Sequence, residues 1–139
     1  LQINMSLSKY AGTLRGLHFQ KTPACEVKLV RCTRGAIWDV VVDIRKNSKT
    51  FGFWNAATLS AENMTAMYVP EGLAHGFITL EDNSEVQYLV SEFYQPQHGE
   101  TLLWNDPQVA IQWPMEITSI SQKDKAGIRL RDIDPINSN

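Results

Sequence analysis

The chain has 139 residues, of which 43% are apolar and 20% charged, with a formal net charge of -2. That length suits one domain, residues 1–139, with a sizeable core, and the composition excludes a disordered chain. With no Lys/Arg block or basic helix, no general nucleic-acid surface is expected, although a local site for a phosphorylated small molecule stays open.

No apolar run reaches membrane-spanning length, and the first residues lack the charged, apolar and cleavage regions of a signal peptide. A cytoplasmic protein with no membrane partner is therefore expected. Cys25 and Cys32 have neither metal-ligand spacing nor the pattern of a disulfide scaffold, so both are expected to be reduced thiols.

In chain order, residues 1–10 alternate Ile3, Met5 and Leu7 against Asn4, Ser6 and Ser8, which predicts an edge strand serving its own domain or a partner. A second strand is expected over Thr13 to Gln20. Glu26 to Thr33 follows, with Lys28 and Val30 on one face and Val27 and Leu29 on the other. The strongest strand pattern runs from Ala36 to Arg45. Its alternation groups Trp38, Val40, Val42 and Ile44 against Asp39, Val41 and Asp43. Two acids on one strand face predict either a polar-lined interior or a pair of satisfied structural carboxylates.

Further strands are expected near Phe53 to Leu59, Thr65 to Val69, Ala74 to Leu80 and Glu85 to Ser91. Short ones follow at Glu100 to Trp104 and Val109 to Trp113. Beyond Pro114 the chain reads as irregular, apart from one helical turn near Ser121 to Lys125 that Ser121 can cap. Many short strands with glycine or proline turns and no long amphipathic helix predict an all-β antiparallel sandwich or barrel.

The stretch from Arg15 to Gln20 sets His18, one of three histidines, directly behind a cation and ahead of the strand-rich region. Histidine titrates nearest neutrality and both accepts and donates protons. His18 is thus the leading candidate base, with a structural or merely exposed role as the other reading. His75 sits among small residues that permit close backbone approach, as a site residue or a structural hydrogen-bonding group. Lys28 is either a surface lysine or, if its face lines a pocket, a cation that stabilises developing negative charge. Tyr88 is either a core residue or a pocket acid, the latter only where electrostatics favour transfer from a phenol of reference pKa about 10. Asp124 is a helix-start carboxylate or, beside His18, the group that orients its imidazole. The histidine spacing fits no metal motif, and no Walker loop or dinucleotide fingerprint is present, so neither a metal nor a cofactor is expected.

The ordered motifs Leu14–Gln20, Lys28–Cys32, Arg34-Gly35, Asp39–Arg45, Leu59–Asn63, Val69–Gly72, Ala74–Phe77, Leu103–Pro107 and Ser121–Asp124 resemble the dTDP-4-dehydrorhamnose 3,5-epimerase family from about Gln2 to Asp124. The resemblance implies a cupin-like jelly roll with a short irregular C-terminal segment. It implies His18 as base, Asp124 as its dyad partner, Lys28 near the sugar keto oxygen and Tyr88 as the opposing acid. Arg15, His75, Glu100 and Lys123 resemble nucleotide-sugar contacts, Tyr94 an aromatic near the hexose, and Gln2 and Asn4 a nucleotide-contacting pair.

The implied reaction is epimerisation of dTDP-4-dehydro-6-deoxy-D-glucose at C3 and C5 to dTDP-4-dehydro-L-rhamnose, without cofactor. A related epimerase acting at one carbon and a non-enzymatic nucleotide-sugar-binding sandwich are the alternatives. The resemblance also implies a segment ahead of Leu1, and a homodimer is expected in which residues 1–10 are an edge or dimer-crossing strand.

Overall fold

Period-two alternation of apolar and polar residues shapes most of the chain, because successive side chains of a strand point to opposite faces. In the computed structural model, which describes residues 1–135, the strands are β1 (Gln2–Ser8), β2 (Thr13–Gln20), β3 (Lys28–Arg34), β4 (Ala36–Asp43) and β5 (Trp54–Ser60). They continue with β6 (Ala66–Val69), β7 (Leu73–Thr79), β8 (Ser84–Val90), β9 (Gly99–Thr101) and β10 (Ser119–Ile120). Helix α1 (Gln122–Lys125) and a 3-10 turn (Leu130–Asp132) complete the elements. Residues 136–139, the end of the expected domain span and of its irregular tail, lie outside the described residues.

Two sheets form. One has the order β1-β8-β3-β6, and the other has the order β10-β2-β7-β4-β5 with β9 also on β2. Pairing is antiparallel except for β10 on β2 and an isolated Leu102–Ile128 bridge, both parallel. Among the described residues no helix is long and apolar enough to cross a membrane.

The larger sheet is covered on both faces. Between the sheets, Val30, Cys32, Val69 and Val86 of the smaller sheet pack on Ile37, Leu59 and Phe77 of the larger. On its outer face, Leu17, Phe19, Val40, Val42, Ile44 and Ala74 are capped by Leu102, Val109, Leu130 and Ile133. Each fully buried aliphatic side chain stabilises the fold by about 1.5–3 kcal/mol, so this second core holds the segment from Leu102 to Ile133 in place. Burial on both faces explains why β4 is so apolar.

The two acids of β4 are resolved differently. The Asp43 carboxylate accepts from Arg45 Nε (3.0 Å) and Nη2 (3.1 Å) and from the hydroxyls of Ser48 and Thr50 (both 2.6 Å). These bonds outweigh the upward push of burial and hold its pKa well below the usual carboxylate range. Asp39, fully buried, pairs instead with His75. One is thus a satisfied structural carboxylate and the other lies beneath a cavity wall.

Two sequence expectations need correction. The strand expected at Glu100 to Trp104 is shortened to β9. The strand expected at Val109 to Trp113 does not form. Asp106 accepts the Gln108 N–H (2.9 Å) and the Leu130 N–H (2.6 Å), and Ala110 takes a positive φ of 55°. That left-handed residue breaks the extended path. Val109 can then enter the outer core while Trp113 donates to the Trp104 carbonyl at 3.1 Å and meets Trp38 edge-on.

Candidate active site

In β2 the outer core takes Leu17 and Phe19, so His18 between them faces the other sheet. Glycines let β2 and β7 approach at this point. A Cβ on Gly16 would lie 2.6 Å from the Gly76 Cα, and one on Gly76 would lie 2.6 Å from the Arg15 carbonyl oxygen. His18 and His75 are cross-strand neighbours in this ladder.

Asp124 reaches His18 from α1. The Ser121 hydroxyl accepts the Asp124 N–H at 3.1 Å, the expected N-cap, and fixes the first helical turn. The Asp124 carboxylate is 2.7 Å from His18 Nε2 through Oδ1, while Oδ2 accepts the Gly16 N–H at 3.1 Å. Burial pushes the Asp124 pKa up. The hydrogen bond and charge of His18, with those from Gly16 and Ser121, outweigh that push and hold it below the usual value. An ionised carboxylate only accepts, so Nε2 carries the proton facing Asp124, and in the neutral imidazole the free lone pair is on Nδ1. The His18 side chain remains 45% exposed, open to the cleft, whereas Asp124 is almost wholly buried.

The cleft consists of two adjoining cavities, of about 410 and 250 Å³, that share His18, Tyr88 and Lys123 as walls. Lys28, at the start of β3, donates from Nζ to the His18 carbonyl at 3.4 Å and pairs with Glu26 at 3.1 Å. Tyr88 stands in β8 between Asn4 of β1 and Val30 of β3. Burial raises its phenol pKa; the nearby Arg15 charge opposes this and that of Glu26 reinforces it.

The smaller cavity holds Arg15, His75 and Asp124. Arg15 donates from Nε to the Ser8 hydroxyl at 3.3 Å. His75 Nε2 lies 2.7 Å from Asp39 Oδ1, and Asp39 Oδ2 is buried without a hydrogen-bond partner among the described residues. The larger cavity holds Gln2, Asn4, Tyr94 and Glu100. Gln2 donates to Asn4 at 2.8 Å and accepts the Tyr94 N–H at 3.1 Å. Lys123 donates to the Tyr94 hydroxyl at 3.3 Å and lies 5.7 Å from its ring centroid. Glu100 pairs with Lys21 through one oxygen, and its other oxygen is buried without a partner among the described residues.

All eleven candidate residues from the sequence therefore line this one cleft. Two neighbours escaped sequence reasoning. Gln20 accepts the Gln95 N–H at 2.7 Å and donates to the carbonyls of Ala24 (2.9 Å) and Phe93 (3.4 Å), which ties down the loop that carries Tyr94. Glu26 pairs with Lys28 on the larger cavity's wall. Its signal was available, since residues two apart entering a strand share a face.

A histidine oriented by a buried carboxylate, a lysine beside it and a phenol across the same cavity make a set suited to removing a proton next to a carbonyl. Arg15 and Lys123, at the cavity walls, add positive charge for an anionic substrate.

A family model described as dTDP-4-dehydrorhamnose 3,5-epimerase matches residues 1–132. A relative of that name from Sinorhizobium fredii (strain NBRC 101917 / NGR234) is 48% identical over 127 residues, covering 91% of this chain and 65% of the relative. This chain thus spans a little under two thirds of that relative's length. The solved structure of dTDP-6-deoxy-D-glucose-3,5-epimerase RmlC from Legionella pneumophila, in complex with dTDP-4-keto-L-rhamnose, superposes with a TM-score of 0.93 at 39% identity, covering 100% of this chain and 76% of that one. ChmJ, a 3'-monoepimerase from Streptomyces bikiniensis solved with dTDP-quinovose, superposes with a TM-score of 0.88 at 37% identity, covering 94% and 66%.

Proposed function

Because the chain belongs to the dTDP-4-dehydrorhamnose 3,5-epimerase family, we propose that it epimerises a dTDP-linked 4-keto-6-deoxyhexose at C3 and C5, converting dTDP-4-dehydro-6-deoxy-D-glucose to dTDP-4-dehydro-L-rhamnose. The observation that carries this reading is the 2.7 Å contact of His18 with Asp124 at the wall of a cleft that also holds Lys28 and Tyr88.

The hydrogens on C3 and C5 are both adjacent to the C4 ketone, so removing either places charge on the ketone oxygen. His18 Nδ1 takes the proton, and Asp124 stabilises the imidazolium that results. The Lys28 ammonium lowers the energy of the enolate, since a preorganised cation is already in place as charge develops. Tyr88 returns a proton to the other face of the carbon, which inverts it. Its raised pKa keeps the phenol protonated until the enolate, a strong base, receives the proton. Arg15 and Lys123 neutralise the diphosphate, His75 and Glu100 contact the nucleotide-sugar, Gln2 and Asn4 contact the nucleotide, and Tyr94 lies near the hexose.

The test is proton exchange. In heavy water, the folded protein should incorporate deuterium at both C3 and C5 of the 4-keto nucleotide sugar, read by NMR; no incorporation at either carbon would sink the epimerase reading. Inversion at C3 alone is the second reading, favoured by the likeness to the 3'-monoepimerase, and deuterium confined to C3 would select it.

We also infer a homodimer. On the outer face of the smaller sheet, Ile3, Leu89, Leu29 and Tyr68 form one cross-strand apolar row. Three of them are strongly exposed: Ile3 60%, Tyr68 64% and Leu29 42%. A second copy covering this face would remove it from water.

A further inference from the structure

Glu26 enters the larger cavity beside Lys28 with little access to solvent, its side chain 12% and that of Lys28 8% exposed. Glu26 Oε1 and Lys28 Nζ are 3.1 Å apart. An ammonium has three N–H donors. Here one meets Glu26 and one the His18 carbonyl, which leaves a third for a ligand. The carboxylate has a second oxygen, which only accepts. The pair therefore offers the cavity a donor and an acceptor side by side, each fixed by the other.

We propose that Glu26 and Lys28 together recognise an α-hydroxyketone, Lys28 donating to the ketone oxygen and Glu26 accepting from the hydroxyl on the adjacent carbon. Oxygens on neighbouring carbons of a sugar ring stand roughly a hydrogen-bond length apart, which matches the spacing of the two side chains. The order of donor and acceptor is also the reverse of the ligand's, as recognition requires. This inference rests on the epimerase reading and deepens it, because it makes Glu26 the residue that demands a free hydroxyl at C3, next to the C4 ketone. A hydrogen bond to an ionised acceptor is strong, and a site built to bind a hydroxyl discriminates against the analogue that lacks it.

The experiment crosses two proteins with two substrates. The wild-type chain and Glu26→Met are each given the 4-keto nucleotide sugar and its 3-deoxy analogue, and kcat/KM is measured for deuterium exchange at C5, a position both substrates retain. The wild-type chain is expected to prefer the hydroxylated substrate about 10- to 100-fold, and Glu26→Met to reduce that preference to about threefold or less. An equal loss of rate on both substrates in Glu26→Met would overturn the proposal, because Glu26 would then act only through Lys28. If Glu26→Met does not fold, as judged by its thermal melt, Glu26→Gln carries the test. Its weaker neutral acceptor must lower the preference at least threefold, and an unchanged preference overturns the proposal. Absence of exchange at both C3 and C5 by the wild-type chain on the hydroxylated substrate would remove the epimerase reading and this inference together; exchange confined to C3 moves the comparison to that carbon, and exchange at either carbon without a preference removes this inference alone.

Discussion

Asp124 makes use of both its carboxylate oxygens, one for the His18 ring and one for the Gly16 N–H, which is on the same strand as His18. The ring and its supporting backbone are thus held by a single group. Replacing Asp124 with Asn presents Nε2 with an amide that can donate instead of accept, so the other imidazole tautomer is favoured and Nδ1 loses its lone pair. Asp124→Asn is expected to lower kcat by roughly 10³- to 10⁴-fold, the range seen when a base is left in the wrong tautomer, with the melting temperature changed by only a few degrees. Steady-state rates and a thermal melt measure the two effects, and a kcat within about tenfold of wild type would remove Asp124 from the proposed dyad. His75 and Asp39 repeat the geometry at 2.7 Å one strand away, but deeper and without the solvent opening that His18 has. The repetition separates the proposed roles: the exposed imidazole is placed to exchange a proton, the buried one to hold a fixed orientation.

At the scale of the element, the turn after β4 is fixed by one carboxylate. Asp43 gathers Arg45, which the sequence pattern places at the end of the strand, together with Ser48 and Thr50 beyond it. Its folded pKa is lowered, so its contribution to stability is complete above the unfolded value of about 4 and is lost as pH falls through the folded value. Asp124 titrates in the same direction. The melting temperature should therefore fall steadily below about pH 4. Asp43→Asn should cost roughly 2–3 kcal/mol at neutral pH and flatten that acid slope. Denaturant melts across the pH range measure both, and an unchanged slope in the variant would show that Asp43 is not its source. Strands β1 to β8 are legible in the sequence, those of the smaller sheet because one wet face imposes a period of two and β4 because burial on both faces leaves it a nearly continuous apolar run. Apart from the helical turn that Ser121 caps, the region from residue 102 onward is not, because Leu102, Val109, Leu130 and Ile133 reach one core through turns rather than through any repeat. The wrongly expected strand at Val109 to Trp113 has this origin: its apolar residues alternate, but Ala110 and Asp106 bend the chain.

At the scale of the whole molecule, the apolar row on the smaller sheet separates surface chemistry from the cleft. Ile3 and Gln2 are neighbours in β1, yet by alternation they face opposite ways, Ile3 outward and Gln2 into the larger cavity. If a second copy covers the row, Ile3→Glu should convert a dimer to a monomer in sedimentation at micromolar concentration, while a native that is monomeric at that concentration would exclude the dimer. The cleft as a set was legible only through motifs scattered along the chain. No local pattern joins His18 to Asp124, because what unites them is the crossing of β2 by α1.

That crossing spans 106 residues, and it fixes when in the life of the polypeptide a site can exist. His18 is translated ahead of Lys28, and the carboxylate that orients the imidazole follows only about a hundred residues later. Any nascent or clipped chain that stops short of residue 124 carries the base without its partner. A fragment that ends between β9 and α1 holds most of the β-sheet residues and none of the assembled dyad, so the base is synthesised well before it can be poised.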